Sequence, residues 1–174
     1  MSDITIRAAA EHDVAAITEI YAYAVLHGTA SFEIEPPDEA ETERRRQTLI
    51  KAGYPYLVAE RDGVLGYAYA GPYRMRPAYR WTVEDSVYIA ARAQRRGIGR
   101  ALLIRLIEEA ERRGFRQMIA VIGDSRQQGP SIELHRALGF RHVGTLAAVG
   151  FKHGGWRDSV LMQRALGPGD MTEP

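Results

Sequence analysis

The spacing of apolar positions divides the chain into strand-like and helix-like stretches. Ile4-Thr5-Ile6-Arg7 alternates with period two, as a short half-buried strand does. From Asp13 to Leu26, Val14, Ile17, Tyr21, Ala24 and Val25 recur on one helical face, and Gly28 closes the stretch. After the loop Thr29-Ala30-Ser31-Phe32, Pro36-Pro37 precede Asp38-Glu39-Ala40-Glu41, a capping-box-like start in which Asp38 caps and Glu41 reaches back. The helix it opens runs to Ala52 and stops at Gly53. Tyr56–Glu60 and Val64–Tyr69 flank Arg61-Asp62-Gly63 and read as a hairpin on an Asp-Gly turn, with Tyr67 and Tyr69 assigned to the core. Val83–Ile89 is the next strand. Met118–Ile122 is apolar throughout, as a buried central strand is. Between them, Arg100–Arg113 lines up Leu103, Ile104, Leu106, Ile107 and Ala110 on one helical face. Ser131–Leu138, ended by Gly139, is the last helix, and Arg141–Val149 with Trp156–Gln163 form a closing hairpin around Lys152-His153-Gly154-Gly155. Residues 1–166 read as one domain and 167–174 as a flexible polar tail.

One junction in this pattern carries chemistry. The strand Ser86-Val87-Tyr88-Ile89 leads through Gln94-Arg95-Arg96-Gly97-Ile98-Gly99 into the helix that starts near Arg100. A glycine turn feeding a helix N-terminus gathers backbone N–H groups in a small volume, and the helix dipole adds positive potential there. Gly97 and Gly99 let the main chain approach an anion, and Arg95, Arg96 and Arg100 supply charge, so the junction suits a pyrophosphate. A phosphate loop of the Walker type needs Gly-Lys followed by Ser or Thr, whereas Gly99 is followed by Arg100-Ala101. A dinucleotide fingerprint needs a third glycine that the stretch after Leu102 does not offer.

Composition narrows the options further. The chain has 174 residues, enough for one domain with a substantial core. Its net charge of +1 and interspersed charges fit no polyanion, because the one basic cluster, Arg92, Arg95, Arg96 and Arg100, is too local for a nucleic acid. The start Met1-Ser2-Asp3-Ile4 lacks the basic and long apolar regions of a signal peptide, and no apolar run approaches the roughly 20 residues of a membrane span. Cysteine is absent, which excludes disulfides, thiolate metal sites and a cysteine acyl-enzyme. His12, His27, His142 and His153 show no metal-ligand spacing, so no metal is expected and a cytoplasmic protein is.

Gln94-Arg95-Arg96-Gly97-Ile98-Gly99-Arg100-Ala101 resembles the acetyl-CoA loop of the GNAT N-acetyltransferases, pattern Q/R-x-x-G-x-G/A. The element order β-α-α-β-β-β-α-β-α-β-β also matches that α/β fold, a mixed, mostly antiparallel sheet flanked by helices. Three segments resemble one subgroup, the phosphinothricin acetyltransferases: Tyr73 to Tyr88, Ser131 to Phe140, and Gly150 to Asp158. The resemblance implies transfer of acetyl from acetyl-CoA to the α-amine of phosphinothricin, methionine sulfoximine or methionine sulfone, and a homodimer joined through the hairpin Arg141–Gln163.

Acetyl transfer from a thioester to an amine needs a deprotonated amine, a polarised carbonyl and a departing thiol. Without a cysteine nucleophile, direct attack in a ternary complex is the simplest route. Backbone N–H groups at Val87, Tyr88 and Ile89 are then expected along the pantetheine arm, and those from Arg95, Arg96, Gly97, Ile98, Gly99 and Arg100 at the pyrophosphate. The resemblance assigns the general base to Glu84; Asp85 points to the opposite face by strand alternation and is the weaker candidate. By resemblance, His135 acts as acid or assists deprotonation. Arg74 and Arg76, on a loop beside the active-site strand, suit carboxylate or phosphinate oxygens. By resemblance Phe32 and Lys152 border the same pocket, and Met75, Trp81, Asp85 and Ser86 complete the expected acceptor site. Where relatives carry an asparagine against the CoA arm, this chain has Gln128, whose longer arm displaces the contact. Two other functions share these features: acetylation of another small amine or a peptide N-terminus, and non-catalytic sensing of acyl-CoA.

Overall fold

The protein is described from a computed structural model covering residues 4–174; Met1, Ser2 and Asp3, expected to open the domain, lie outside the described residues. One sheet organises the fold, in the order β1-β2-β3-β4-β5-β7-β6. The strands are β1 (Thr5–Ala8), β2 (Tyr56–Glu60), β3 (Val64–Pro72), β4 (Thr82–Ile89), β5 (Gln117–Gly123), β6 (Arg141–Lys152) and β7 (Gly155–Ala165). Every neighbouring pair is antiparallel except β4 and β5. That exception requires a crossover, which is the glycine turn and α3 (Ile98–Arg112).

The remaining helices are α1 (Val14–His27), α2 (Glu39–Lys51) and α4 (Gly129–Ala137). Strand alternation sorts them onto two faces. Tyr88 meets Tyr21 of α1 edge to face at 5.0 Å, so even-numbered β4 residues face α1. Ile89 lies beneath Gly99 of α3, which in turn faces Leu134 of α4, so odd-numbered β4 residues face α3 and α4. Gly66 makes this packing possible: a Cβ there would come within 2.7 Å of the Ile89 side chain and 2.8 Å of the Tyr88 carbonyl. The apolar stripe of α3, Leu102, Leu103, Leu106 and Ala110, is fully buried against the sheet with Val58, Ala68 and Val83.

Boundaries shift where capping chemistry differs from the expected pattern. Asp38 does cap α2, accepting from the Glu41 N–H at 2.8 Å, but Glu41 turns outward to Arg44 and Arg45 instead of reaching back. α3 starts at Ile98, two residues before Arg100, because Gly97 adopts a left-handed φ of 77° and turns the chain straight into the helix. α4 starts at Gly129 with Pro130 in its first turn, a position that needs no N–H donor. The last residues are held by Arg116, which donates to the Gly169 carbonyl, Thr172 Oγ1 and the Glu173 carbonyl.

Candidate active site

The site follows from where β4 and β5 part. Their parallel register runs from Thr82↔Gln117 to Asp85↔Ala120 and stops. β4 continues to Ile89 paired only with β3, while β5 continues to Gly123 paired only with β7. Past the fork, the edges of Ser86–Ile89 and Val121–Gly123 therefore face each other without pairing. A cavity of about 350 Å³ occupies this gap and is walled by Glu84, Asp85, Ser86, Val87, Tyr88 and His135, among others.

Glu84 and Asp85 point to opposite faces, as alternation requires, yet both reach the cavity because it passes through the sheet. Glu84 shares its face with Tyr69 and is half-buried; burial, and then the neighbouring Asp85 charge, push its carboxyl up to about 7. Asp85 is buried on the face of α4, where its Oδ2 lies 3.0 Å from His135 Nε2. His135 Nδ1 lies 2.7 Å from the Ser131 carbonyl, an acceptor only, so Nδ1 is a donor. The second nitrogen, Nε2, faces the Asp85 carboxyl group. Burial opposes a charge on the ring, but the hydrogen bond and field of Asp85 outweigh it and keep the histidine above its ordinary value. Both nitrogens are thus engaged, and no free lone pair remains to take a proton from an amine. With both nitrogens engaged, the geometry leaves no atom of His135 for the expected base-assisting role. The other Asp85 oxygen, Oδ1, is buried with no hydrogen-bond partner among the described residues and belongs to the cavity wall.

The loop after α1 closes one side. Phe32 packs over Gly123 and Gly150; an added Cβ would fall 2.6 Å from its ring at Gly123 and closer still at Gly150. Lys152 is buried behind this loop and donates to the Ser31 carbonyl at 2.6 Å, with burial lowering its ammonium below the usual range. It anchors the loop and does not line the cavity. Gln128 does line it and donates to Thr29 Oγ1 at 3.4 Å.

Other expected acceptor contacts lie elsewhere. Arg74, Met75 and Arg76 are exposed on the β3–β4 loop, Arg74 stacking on Tyr73 at 5.2 Å, and none reaches the cavity of the single chain. Trp81 is half-buried under Arg80 and is also outside it. Conversely, Ser31, Tyr69, Ile122 and Ser159 line the cavity without having been singled out. Tyr69 is the informative miss. It is only half-buried at the edge of the core and pairs with Ser86 of β4 across the 73–81 loop, a partnership that no short turn announces in the sequence.

The open edge of β4 leads to the turn before α3. Arg95, at φ 60°, Arg96 and Arg100 are exposed around it, and the α3 N-terminus has no side-chain cap, so its first N–H groups stay available. A strand edge without a partner, continuous with uncapped helix N–H groups and flanking guanidiniums, fits an amide-bearing arm that ends in a pyrophosphate. Among the described residues no group of His, Asp or Glu side chains is arranged to hold a metal, and no helix is long and apolar enough to cross a membrane.

Comparison with known proteins agrees with this geometry. A family described as an acetyltransferase (GNAT) domain matches residues 6–161. A phosphinothricin N-acetyltransferase of Alcaligenes faecalis is 54% identical over 171 residues, covering 98% of this chain and 86% of the relative. An L-methionine sulfoximine/L-methionine sulfone acetyltransferase of Salmonella typhimurium is 44% identical over 167 residues, covering 94% and 95%. The crystal structure of a GNAT superfamily phosphinothricin acetyltransferase from Sinorhizobium meliloti, in complex with acetyl-CoA, superposes with a TM-score of 0.96 at 50% identity, covering 98% of this chain and 92% of that one. With a forked sheet, a basic glycine turn and a match over most of its length, the chain belongs to the GNAT family of acetyltransferases.

Proposed function

We propose that this acetyltransferase moves the acetyl group of acetyl-CoA to the α-amine of a small amino acid whose side chain ends in a tetrahedral polar group, as phosphinothricin, methionine sulfoximine and methionine sulfone do. The observation that carries the reading is Glu84, a half-buried carboxyl with an affinity for protons near neutrality, at the fork of β4 and β5. The relatives named for phosphinothricin and for methionine sulfoximine and sulfone support the acceptor class.

Bound acetyl-CoA supplies an acetyl group already activated as a thioester. The chain's own residues do the rest. The Glu84 carboxylate takes one proton from the incoming ammonium, directly or through one water, so the amine enters as a nucleophile; as the C–N bond forms the C–S bond breaks, and the CoA sulfur leaves as the thiol with the second proton that the nitrogen sheds. The unpaired N–H groups along Val87–Ile89 offer donors to the arm and to developing negative charge. Those of the turn from Arg95 to Arg100, with three guanidiniums, hold the phosphates. Burial, and then the Asp85 charge, keep Glu84 basic enough to act, and His135 fixes the position of Asp85. Phe32 covers the cavity and excludes water.

A homodimer and a cytoplasmic setting complete the proposal. β6 is an edge strand whose Leu146, Val149 and Phe151 are exposed, with Trp156 beside them at 68% exposure, an apolar edge suited to a second copy of the same hairpin. A cysteine-free chain fits a reducing compartment.

The deciding experiment measures thiol release from acetyl-CoA with a panel of amino acids and amines. Turnover is expected with phosphinothricin and methionine sulfone and not with polyamines. Equal rates across the panel, or no release at all, overturns the acceptor assignment.

A further inference from the structure

The loop from Asp124 to Gln128, between β5 and α4, holds a backbone shape that its own sequence does not favour. Asp124 has a left-handed φ of 55° and is only 2% exposed. Residues other than glycine keep that conformation where their surroundings over-determine it. Here the Asp124 N–H donates to the Asp158 carbonyl at 2.9 Å, and the Asp124 carbonyl accepts from the N–H groups of Gln127 and Gln128 at 3.0 and 2.9 Å. Arg157 Nη1 lies 3.2 Å from Asp124 Oδ2. The path of the chain into α4 is thus set at Asp124.

Asp158 of β7 supplies the rest of the grip. Pairing of β6 with β7 breaks at this residue: Gly150 pairs with Arg157 and Leu146 with Ser159, so Ala147, Ala148 and Val149 oppose Asp158 alone. A bulge of this kind interrupts the ladder and frees the groups beside it. The freed carbonyl takes the Asp124 N–H, and both carboxylate oxygens turn to Ser125. Oδ1 accepts from its N–H at 2.7 Å and Oδ2 from its hydroxyl at 2.5 Å. These bonds from Ser125 hold the Asp158 carboxyl below the usual carboxylate range, so it stays ionised wherever Glu84 works.

The residues that depend on this loop face the fork. Gln128 closes the loop and Ser131 lies in the first turns of α4, and both line the fork cavity with Asp85 and His135. They share the sheet face of α3, whose N-terminal turn suits the pyrophosphate, whereas Glu84 lies on the opposite face. We propose, on the reading that the donor's arm lies in the fork, that Asp158 is a positioning residue for acetyl-CoA. Through Ser125 it sets the start of α4 so that Gln128 and Ser131 meet the pantetheine arm.

The test combines calorimetry with acetyl-CoA and steady-state kinetics on the wild type and three variants. Asp158→Leu should weaken acetyl-CoA binding about tenfold, the scale of one or two hydrogen bonds lost along the arm. Asp158→Asn keeps an acceptor for the Ser125 N–H and offers its amide N–H to the Ser125 hydroxyl oxygen, so it should restore most of the affinity. Ser125→Ala should weaken binding about threefold, and adding it to Asp158→Leu should cost little more, because the two residues act as one unit. The KM for acetyl-CoA should follow these affinities, while the acceptor KM and the pH of the rising kcat/KM limb stay in place. An Asp158 that only stabilises the fold would lower kcat through the folded fraction and leave the affinity of the folded protein unchanged. That result overturns the proposal, as does an Asn variant as weak as Leu. Should Asp158→Leu fail to fold, unchanged affinity in Ser125→Ala overturns it. Acetyl-CoA that binds the wild type without shifting the amide NMR signals of Val87–Ile89 removes the donor from the fork, and the role of Asp158 with it.

Discussion

His135 Nε2 and Asp85 Oδ2 lie 3.0 Å apart inside the protein, while Glu84, the next residue in the chain, turns to the opposite face. One carboxyl group is thereby hydrogen-bonded to an imidazole, and its neighbour has no such partner among the described residues. Burial and the adjacent Asp85 charge then raise Glu84 toward neutrality, the condition for it to act as a base there.

Activity should follow the ionisation of Glu84. Because its carboxyl is raised to about 7, kcat/KM should climb with pH through neutrality and level off above it. Glu84→Gln should lower kcat by about 10²–10⁴-fold and abolish that rising limb. A pH–rate profile of both proteins checks this; a limb unchanged in the variant would falsify the assignment.

Asp85→Asn should move the limb in a defined direction. The Asp85 charge contributes to holding Glu84 up, so its removal lets Glu84 ionise at lower pH. The apparent pKa in the kcat/KM profile should fall, even if kcat at the plateau also drops. A rise would show that Asp85 acts on Glu84 by some route other than its field.

His135→Asn should destabilise the fold in a pH-dependent way. The folded histidine is held above its ordinary value, so its contribution is complete below the unfolded pKa of about 6.5 and fades as pH rises through the folded value. Urea titrations should give a deficit of about 3–5 kcal/mol on the acid side of that window, the usual cost of orphaning a buried charge, and a smaller one well above it. A deficit independent of pH would mean that the ring contributes packing alone.

Gly123→Ala tests the loop that closes the cavity. The new methyl would lie 2.6 Å from the Thr29 carbonyl and from the Phe32 ring, and the backbone oxygen cannot swing aside as a side chain can. The Thr29–Phe32 segment must move. The expected result is a raised acceptor KM with little change in donor binding measured by calorimetry.

Placing a charge on the outer edge tests the proposed dimer. Phe151 and Trp156 pack edge to face at 5.3 Å and remain largely exposed. Phe151→Asp should convert dimers to monomers in sedimentation experiments, by about 1–3 kcal/mol or more of lost association per buried aromatic. A wild type that sediments as a monomer at all concentrations would remove the dimer from the proposal.

Local signals were readable and distant partnerships were not. The turn from Gln94 to Gly99 is contiguous, so its glycines and arginines announce themselves, and the element order follows from periodicity alone. Glu84 and Asp85 could be assigned opposite faces by counting. That Asp85 meets His135, 50 residues away, depends on how α4 rotates against β5, which no local pattern encodes. Resemblance puts Lys152 at the pocket, but its depth lets the Ser31 carbonyl claim it. Arg74 and Arg76 look available for a carboxylate in sequence, and the aromatic pair Tyr73 and Tyr79 beside Arg74 gives that guanidinium another resting place.

The brevity of the parallel seam has a mechanical consequence. Four strands on one flank and three on the other meet through only the pairs from Thr82 to Asp85 with Gln117 to Ala120. Whatever lodges in the notch beyond them touches both flanks and acts as a clasp. Occupancy there must couple the melting of the two halves, so that a chain loaded with its donor unfolds later and more as one body than the bare chain does.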